Sequence, residues 1–150
     1  MLPIESHLQK ILTAVKDHNR VILTATPGAG KSTHLPPELL KVVSGKIAVL
    51  EPRRIAALGA ALRVADQRKW KLGNEVGYQV RHESRLSEST RLIFMTDALL
   101  LRRMLHDPEL KQIDMVIIDE FHERNIHQDL ILGLIKELQD MGSSIKLLVM

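Results

Sequence analysis

Cysteine is absent from the 150 residues, which rules out disulfides, thiolate metal sites and a thiol nucleophile. Aromatic side chains make up only 3% of the chain. Trp70, Tyr78, Phe94 and Phe121 are therefore the only platforms on which a base could stack. No apolar run approaches the ~20 residues that cross a bilayer. The opening Met1-Leu2-Pro3-Ile4-Glu5 has neither the basic start nor the apolar stretch of a secretory signal. Net charge is also small, and a formal +3 biases the chain only weakly towards polyanions. No repeat or low-complexity segment occurs. A reducing, cytoplasmic location is the expectation that follows, with no membrane partner. What is present, 45% apolar and 26% charged residues, suits one globular domain with a sizeable core.

Helical and strand patterns alternate along that domain. Ile4, Leu8, Ile11, Leu12 and Val15 mark one face of a first helix. A strand over 21–25 follows, then a glycine-containing loop and a helix reaching about Val43, broken by Pro36 and Pro37 and restarting with Pro37 in its first turn. Strands are expected at 47–50, 76–80, 91–95, 115–118 and 145–150. Helices are expected at 55–69, 98–105 and 128–141. Such β-α alternation argues for an α/β fold, a mainly parallel sheet with helices on both faces.

Chemistry concentrates at two strand ends. The stretch Ala25-Thr26-Pro27-Gly28-Ala29-Gly30-Lys31-Ser32-Thr33 directly follows the apolar run Val21-Ile22-Leu23. Gly28 and Gly30 allow positive φ, so successive N–H groups can surround an anion. Lys31 can reach the β- and γ-phosphates of a nucleotide, and the Ser32 hydroxyl can ligate Mg²⁺. A helix starting near Lys31 would add its positive dipole end. The usual G-x-x-x-x-G-K-[ST] pattern begins with glycine, whereas Ala25 stands there. The second strand end is Ile117-Ile118-Asp119-Glu120-Phe121-His122. Asp119 is placed to hold the metal through water, and Glu120 to deprotonate an attacking water. The competing reading is that these acids cap the next helix. His122-Glu123 resembles half of a zinc-protease motif, but Ile126 occupies the place of its second histidine, so zinc is rejected.

Asp119-Glu120-Phe121-His122-Glu123-Arg124 resembles motif II of the DExH/DEAH-box helicases of superfamily 2, and the loop at 25–33 resembles their motif I. Between them, in order, Glu51-Pro52-Arg53-Arg54-Ile55-Ala56-Ala57 is similar to motif Ia. Gly77-Tyr78-Gln79-Val80-Arg81-His82-Glu83-Ser84 is similar to the segment after it, and Thr96-Asp97-Ala98-Leu99-Leu100 to motif Ib. Ala25, Pro27 and Phe121 bring the chain nearest the bacterial HrpB-type helicases. The resemblance implies a RecA-like P-loop domain that binds ATP with Mg²⁺ through Gly28, Ala29, Gly30, Lys31, Ser32 and Thr33. Ser32 and Asp119 would hold the metal, with Glu120 as base. It places Arg63 against the adenine, and Arg53, Thr96 and Arg81 on the backbone of single-stranded RNA.

The chain stops inside the apolar run 145–150 with no turn or polar tail, which reads as an excised piece of a longer protein. The resemblance implies that residues 1–150 are a first RecA-like domain ending before the Ser-Ala-Thr of motif III, with a second RecA-like domain as its partner. The fragment alone would then bind nucleotide weakly and hydrolyse it negligibly. Alternatives at this point are a DNA-directed P-loop ATPase or translocase, and a nucleotide-binding module without turnover.

Overall fold

The computed structural model describes residues 2–150. A 3-10 turn at Glu5–His7 leads into helix α1, Leu8–Asp17, whose Ile11, Leu12 and Val15 face inward on one helical stripe. Strand β1 (Arg20–Ile22) precedes the glycine loop, and the short helix α2 (Leu35–Leu39) follows it. The chain continues through β2 (Lys46–Glu51), α3 (Arg54–Arg68), β3 (Val76–Val80), β4 (Glu83–Arg85), β5 (Leu92–Thr96) and α4 (Asp97–His106). It ends with β6 (Ile113–Ile118), a 3-10 turn (Phe121–Glu123), α5 (Ile126–Asp140) and β7 (Lys146–Val149). Among the described residues, no helix is long and apolar enough to cross a membrane.

The strands form one 7-stranded sheet in the order β1-β7-β6-β2-β5-β3-β4. Neighbours run parallel except in the β3–β4 hairpin. Alternate side chains enter separate cores, as the pleat dictates. Ile47, Val49, Phe94, Met115, Ile117 and Leu148 pack with α1, α2 and α3, whereas Ala48, Leu50, Met95, Val116, Ile118 and Leu147 pack with α4 and α5. Burial on both faces explains why Met115–Ile118 of β6 is an unbroken apolar run.

Three elements depart from the expectation. Strand β1 ends at Ile22, not Ala25: it lies at the sheet edge with β7 as its neighbour, β7 itself ends at Val149, and the chain leaves the sheet after the Leu23 N–H has donated to the Val149 carbonyl at 2.8 Å. The helix expected from Lys31 contracts to Leu35–Leu39. Lys31–His34 form turns instead, with the N–H groups of His34 and Leu35 both donating to the Gly30 carbonyl at 2.9 and 3.2 Å. Pro36 and Pro37 then occupy the first turn of α2, where a missing N–H goes unfelt. Strand β4 went unforeseen because Glu83, Ser84 and Arg85 are all exposed and show no apolar alternation. What makes that hairpin possible is Gly77, where a Cβ would meet the Arg85 carbonyl oxygen at 2.1 Å.

Candidate functional site

The parallel strands deliver their C-terminal ends to one rim, where ligands bind in open α/β sheets. Across the sheet, Ile22 pairs with Val149, Ile118 with Val149 and Leu50, and Glu51 with Thr96. The residues singled out from the sequence therefore lie along that rim in sheet order. The glycine loop comes first, then Asp119 and Glu120, then Glu51 to Arg53, then Thr96, and Arg81 last.

Local packing sets the loop's shape. Gly28 and Gly30 take φ of +78° and +94°, a region that disfavours other residues. Gly30 is fixed twice over, since a Cβ there would meet Leu2 Cδ1 at 2.9 Å and Ile4 Cγ2 at 3.1 Å. The buried Ala29 accepts a hydrogen bond at its carbonyl from the Ile4 N–H at 3.2 Å. The chain's first residues thus clamp the loop from below. Lys31 Nζ donates to the Ala25 carbonyl at 3.0 Å, folding back across the loop. Ala25 is not among the residues with positive φ, so its methyl group is accommodated where the usual pattern has glycine. Ser32 and Thr33 are half-buried in the turn beyond.

The opposite wall is acidic. Asp119 is 1% exposed. Its N–H donates to the Leu50 carbonyl at 3.1 Å, its own carbonyl accepts from Gln128 Nε2 at 3.0 Å, and its Oδ1 accepts from the Glu120 N–H at 2.9 Å. Among the described residues, Oδ2 is buried with no partner. A hydrated divalent cation would satisfy that oxygen, so the residues fit Mg²⁺. Glu120 has φ of +56°, and its Oε2 lies 3.3 Å from His122 Nε2. Its side chain does not cap the following turn, and the cap of α5 is Asn125, whose side chain accepts from the Gln128 N–H at 2.8 Å. The helix-capping reading of Asp119-Glu120 therefore has no support. His122 and His127 stand on separate helical segments.

Two buried acids that the sequence reading passed over reinforce this wall. Glu51 ends β2 at 3% exposure, and its carboxyl is pushed up to about 10, first by burial and then by the neighbouring Asp119. It therefore carries a proton at neutral pH. Burial also raises Asp97, against the hydrogen bond that Asn125 Nδ2 donates to its Oδ2 at 3.1 Å. Asn125→Ala removes both the α5 cap and this donor. Urea unfolding should show a loss of about 1–3 kcal/mol; an unchanged midpoint would contradict the geometry.

The start of the loop and the turn that follows Glu120 share one pocket of about 290 Å³, lined by Leu23, Thr24, Ala25 and Lys31 on one side and Phe121, His122 and Met150 on the other. Farther along the rim, Arg53 precedes α3 in an extended conformation and grips Glu123 with both arms of its guanidinium, at 2.8 and 3.0 Å. Thr96 precedes α4, and no side-chain capping bond engages it. The Arg81 side chain is exposed, with Nε donating to His82 Nε2 at 3.1 Å. Arg63 is exposed midway along α3. The C-terminal turn of that helix is tied to the glycine-loop segment by Arg68, which pairs with Glu38 at 2.6 Å and donates to the His34 carbonyl.

A profile of the DEAD/DEAH box helicases matches residues 5–150. The chain belongs to that family. It is 38% identical over 149 residues to the probable ATP-dependent RNA helicase DHX34 of Homo sapiens, covering 99% of this chain and 13% of that relative. It is 42% identical over 139 residues to the probable ATP-dependent RNA helicase DHX40 of Homo sapiens, covering 91% of this chain and 18% of that relative. The crystal structure of the Escherichia coli DEAH/RHA helicase HrpB matches with a TM-score of 0.94 at 43% identity, over 100% of this chain and 20% of that one. The α/β, RecA-like fold expected from the motifs is therefore the fold of this helicase domain. The domain spans a fifth or less of the length of these relatives.

Within the helicase domain, Glu51, Asp97, Glu123 and Gln128 are the site residues that sequence reasoning missed. Glu51 left a signal, as a carboxylate that directly follows the apolar run Ile47-Ala48-Val49-Leu50. Gln128 left none, because its contact with the Asp119 carbonyl depends on how α5 packs.

Proposed function

We propose that residues 1–150 are the ATP-binding first motor domain of an ATP-dependent RNA helicase. The observation that carries this reading is that Lys31 and the turn after Glu120 line the same pocket in a chain of this family. The N–H groups around Gly28, Ala29 and Gly30 receive the phosphates, with Ser32 and Thr33 at the end of the cradle. Lys31 exchanges the Ala25 carbonyl for phosphate oxygens. Ser32 Oγ and Asp119 Oδ2 are the atoms offered to Mg²⁺, which when bound neutralises phosphate charge. Glu120 orients the attacking water and takes its proton on a carboxylate oxygen. Arg63 lies against the adenine.

Arg53, Thr96 and Arg81 grip the backbone of single-stranded RNA. Backbone contact fits the aromatic inventory, since Tyr78 and Phe94 are buried and unavailable to bases. A second RecA-like domain of a longer parent protein completes the site, in keeping with relatives that are several times longer. Alone, residues 1–150 bind nucleotide weakly and turn it over negligibly. Arginine groups from a facing domain are worth ~10³–10⁵ in rate in related enzymes.

The test is binding of labelled oligo-uridylate by the 150-residue chain across a salt series. Two arginine–phosphate contacts predict log affinity falling against log salt with a slope of about −1.4. Each arginine removed should lower that slope by about 0.7. Salt-independent binding, or a preference for single-stranded DNA, would contradict the reading.

A further inference from the structure

Arg53 cannot hold Glu123 and an RNA phosphate with the same face of its guanidinium. The fork of five N–H donors matches one carboxylate or one phosphate at a time. In the structure both arms are committed to Glu123, at 2.8 and 3.0 Å. Glu123 is not an isolated surface acid. It closes the 3-10 turn Phe121–Glu123, which begins directly after Glu120. Ligand atoms of Glu120, His122 and Glu123 all lie within 4.8 Å of one another. The two partners stand 70 residues apart in sequence, so their contact joins the start of α3 to the end of β6 across the rim.

Resting on the function proposed above, we infer that Glu123 is a positioning residue that occupies the phosphate-gripping face of Arg53 in the RNA-free domain, and that RNA displaces it and so releases the turn carrying Glu120 and His122.

The energetic scale allows this exchange. The Arg53 side chain is 65% exposed and that of Glu123 is 29% exposed, so the pair is only partly desolvated. Exposed pairs are weak enough for an RNA phosphate to replace one of them, and their loss changes affinity by about two- to fivefold. The release also has a nearby recipient. Glu120 sits at φ of +56°, a conformation that its neighbours must hold, and its Oε2 is 3.3 Å from His122 Nε2. Phe121 and His122 line the pocket shared with Lys31, so a shift of this turn is felt where the nucleotide is proposed to lie. By linkage, a ligand that holds this turn in its RNA-free position lowers RNA affinity, and one that favours the released turn raises it.

The experiment uses the 150-residue chain, with oligo-uridylate as the RNA probe and the His122 imidazole resonance as the local reporter. In the wild type, RNA should move the His122 signal. Glu123→Gln should bind oligo-uridylate about two- to fivefold more tightly, because nothing competes for Arg53. It should also place the RNA-free His122 signal near the RNA-saturated wild-type position. Arg53→Lys keeps the charge but loses the fork, and should move His122 the same way without RNA. Both substitutions are at exposed or half-exposed positions, and an unchanged unfolding midpoint verifies the fold of each. Unchanged or weaker RNA binding by Glu123→Gln, or a His122 signal that stays at the RNA-free wild-type position in either variant, overturns the inference while leaving the helicase reading standing. A wild-type chain that binds no RNA overturns both.

Discussion

Lys31→Ala should lower the affinity of the chain for Mg²⁺-ATP by about 10- to 100-fold while leaving its stability within about 0.5 kcal/mol of the wild type. The asymmetry follows from what the amine touches. In the structure it donates to the Ala25 carbonyl at 3.0 Å, among exposed groups, so water replaces that bond readily. In the proposed complex the same amine meets phosphate oxygens inside a cradle of N–H groups. There a charge-assisted hydrogen bond is worth about 1.5–3 kcal/mol. Titration calorimetry measures the first quantity and urea unfolding the second. Equal nucleotide affinity in the two proteins would remove Lys31 from the site.

Glu51→Gln should stabilise the chain by about 3 kcal/mol at pH 7 and flatten its stability between pH 5 and 9. The Glu51 carboxyl is raised from 4.5 to about 10 in the folded protein. Between these values the native state holds a proton that the unfolded state releases. Stability is therefore fully present below about pH 4.5 and falls by about 1.4 kcal/mol per pH unit above it. The loss continues until the pH passes about 10 and the folded carboxyl also ionises. Glutamine keeps the shape of the neutral acid and has no proton to lose, and its amide can donate towards Asp119. Urea unfolding of both proteins at pH 5, 7 and 9 checks the sign. Curves that run parallel with pH would show that Glu51 is charged in the folded state. A carboxylate replaceable to this advantage marks a place where stability yields to the acidic wall around Asp119.

The parts of the fold legible in the sequence are those whose side-chain pattern is set by burial. The chain from Val76 to Val80 and the helix from Arg54 to Arg68 lie close to where the apolar spacing puts them. Strand β6 announces itself because it is covered on both faces. Elements held by backbone geometry alone were not legible. Strand β4 exposes every side chain, and β1 stops early because a sheet edge supports only one row of hydrogen bonds. The residues after Lys31 form turns because Gly30 receives two N–H groups at once and two prolines follow.

The same division holds at the site. Glycines at positive φ and acids at a strand end declare themselves through residue type. Pairings across long sequence distances do not, because they depend on which strands become neighbours. The Arg53–Glu123 contact, the Glu51–Asp119 proximity and the Gln128 bond to the Asp119 carbonyl all follow from the placing of β2 and α5 beside the end of β6.

The central claim is that the loop at 25–33 and the carboxylates at 119–120 form one Mg²⁺-nucleotide site. Titration calorimetry of the 150-residue chain with ATP, with Mg²⁺ and then with EDTA in its place, tests it most directly. One nucleotide should bind per chain with Mg²⁺, more weakly with EDTA, and Asp119→Asn should erase the difference between the two conditions. Absence of binding at millimolar ATP, or binding indifferent to both Mg²⁺ and Asp119, would contradict the account.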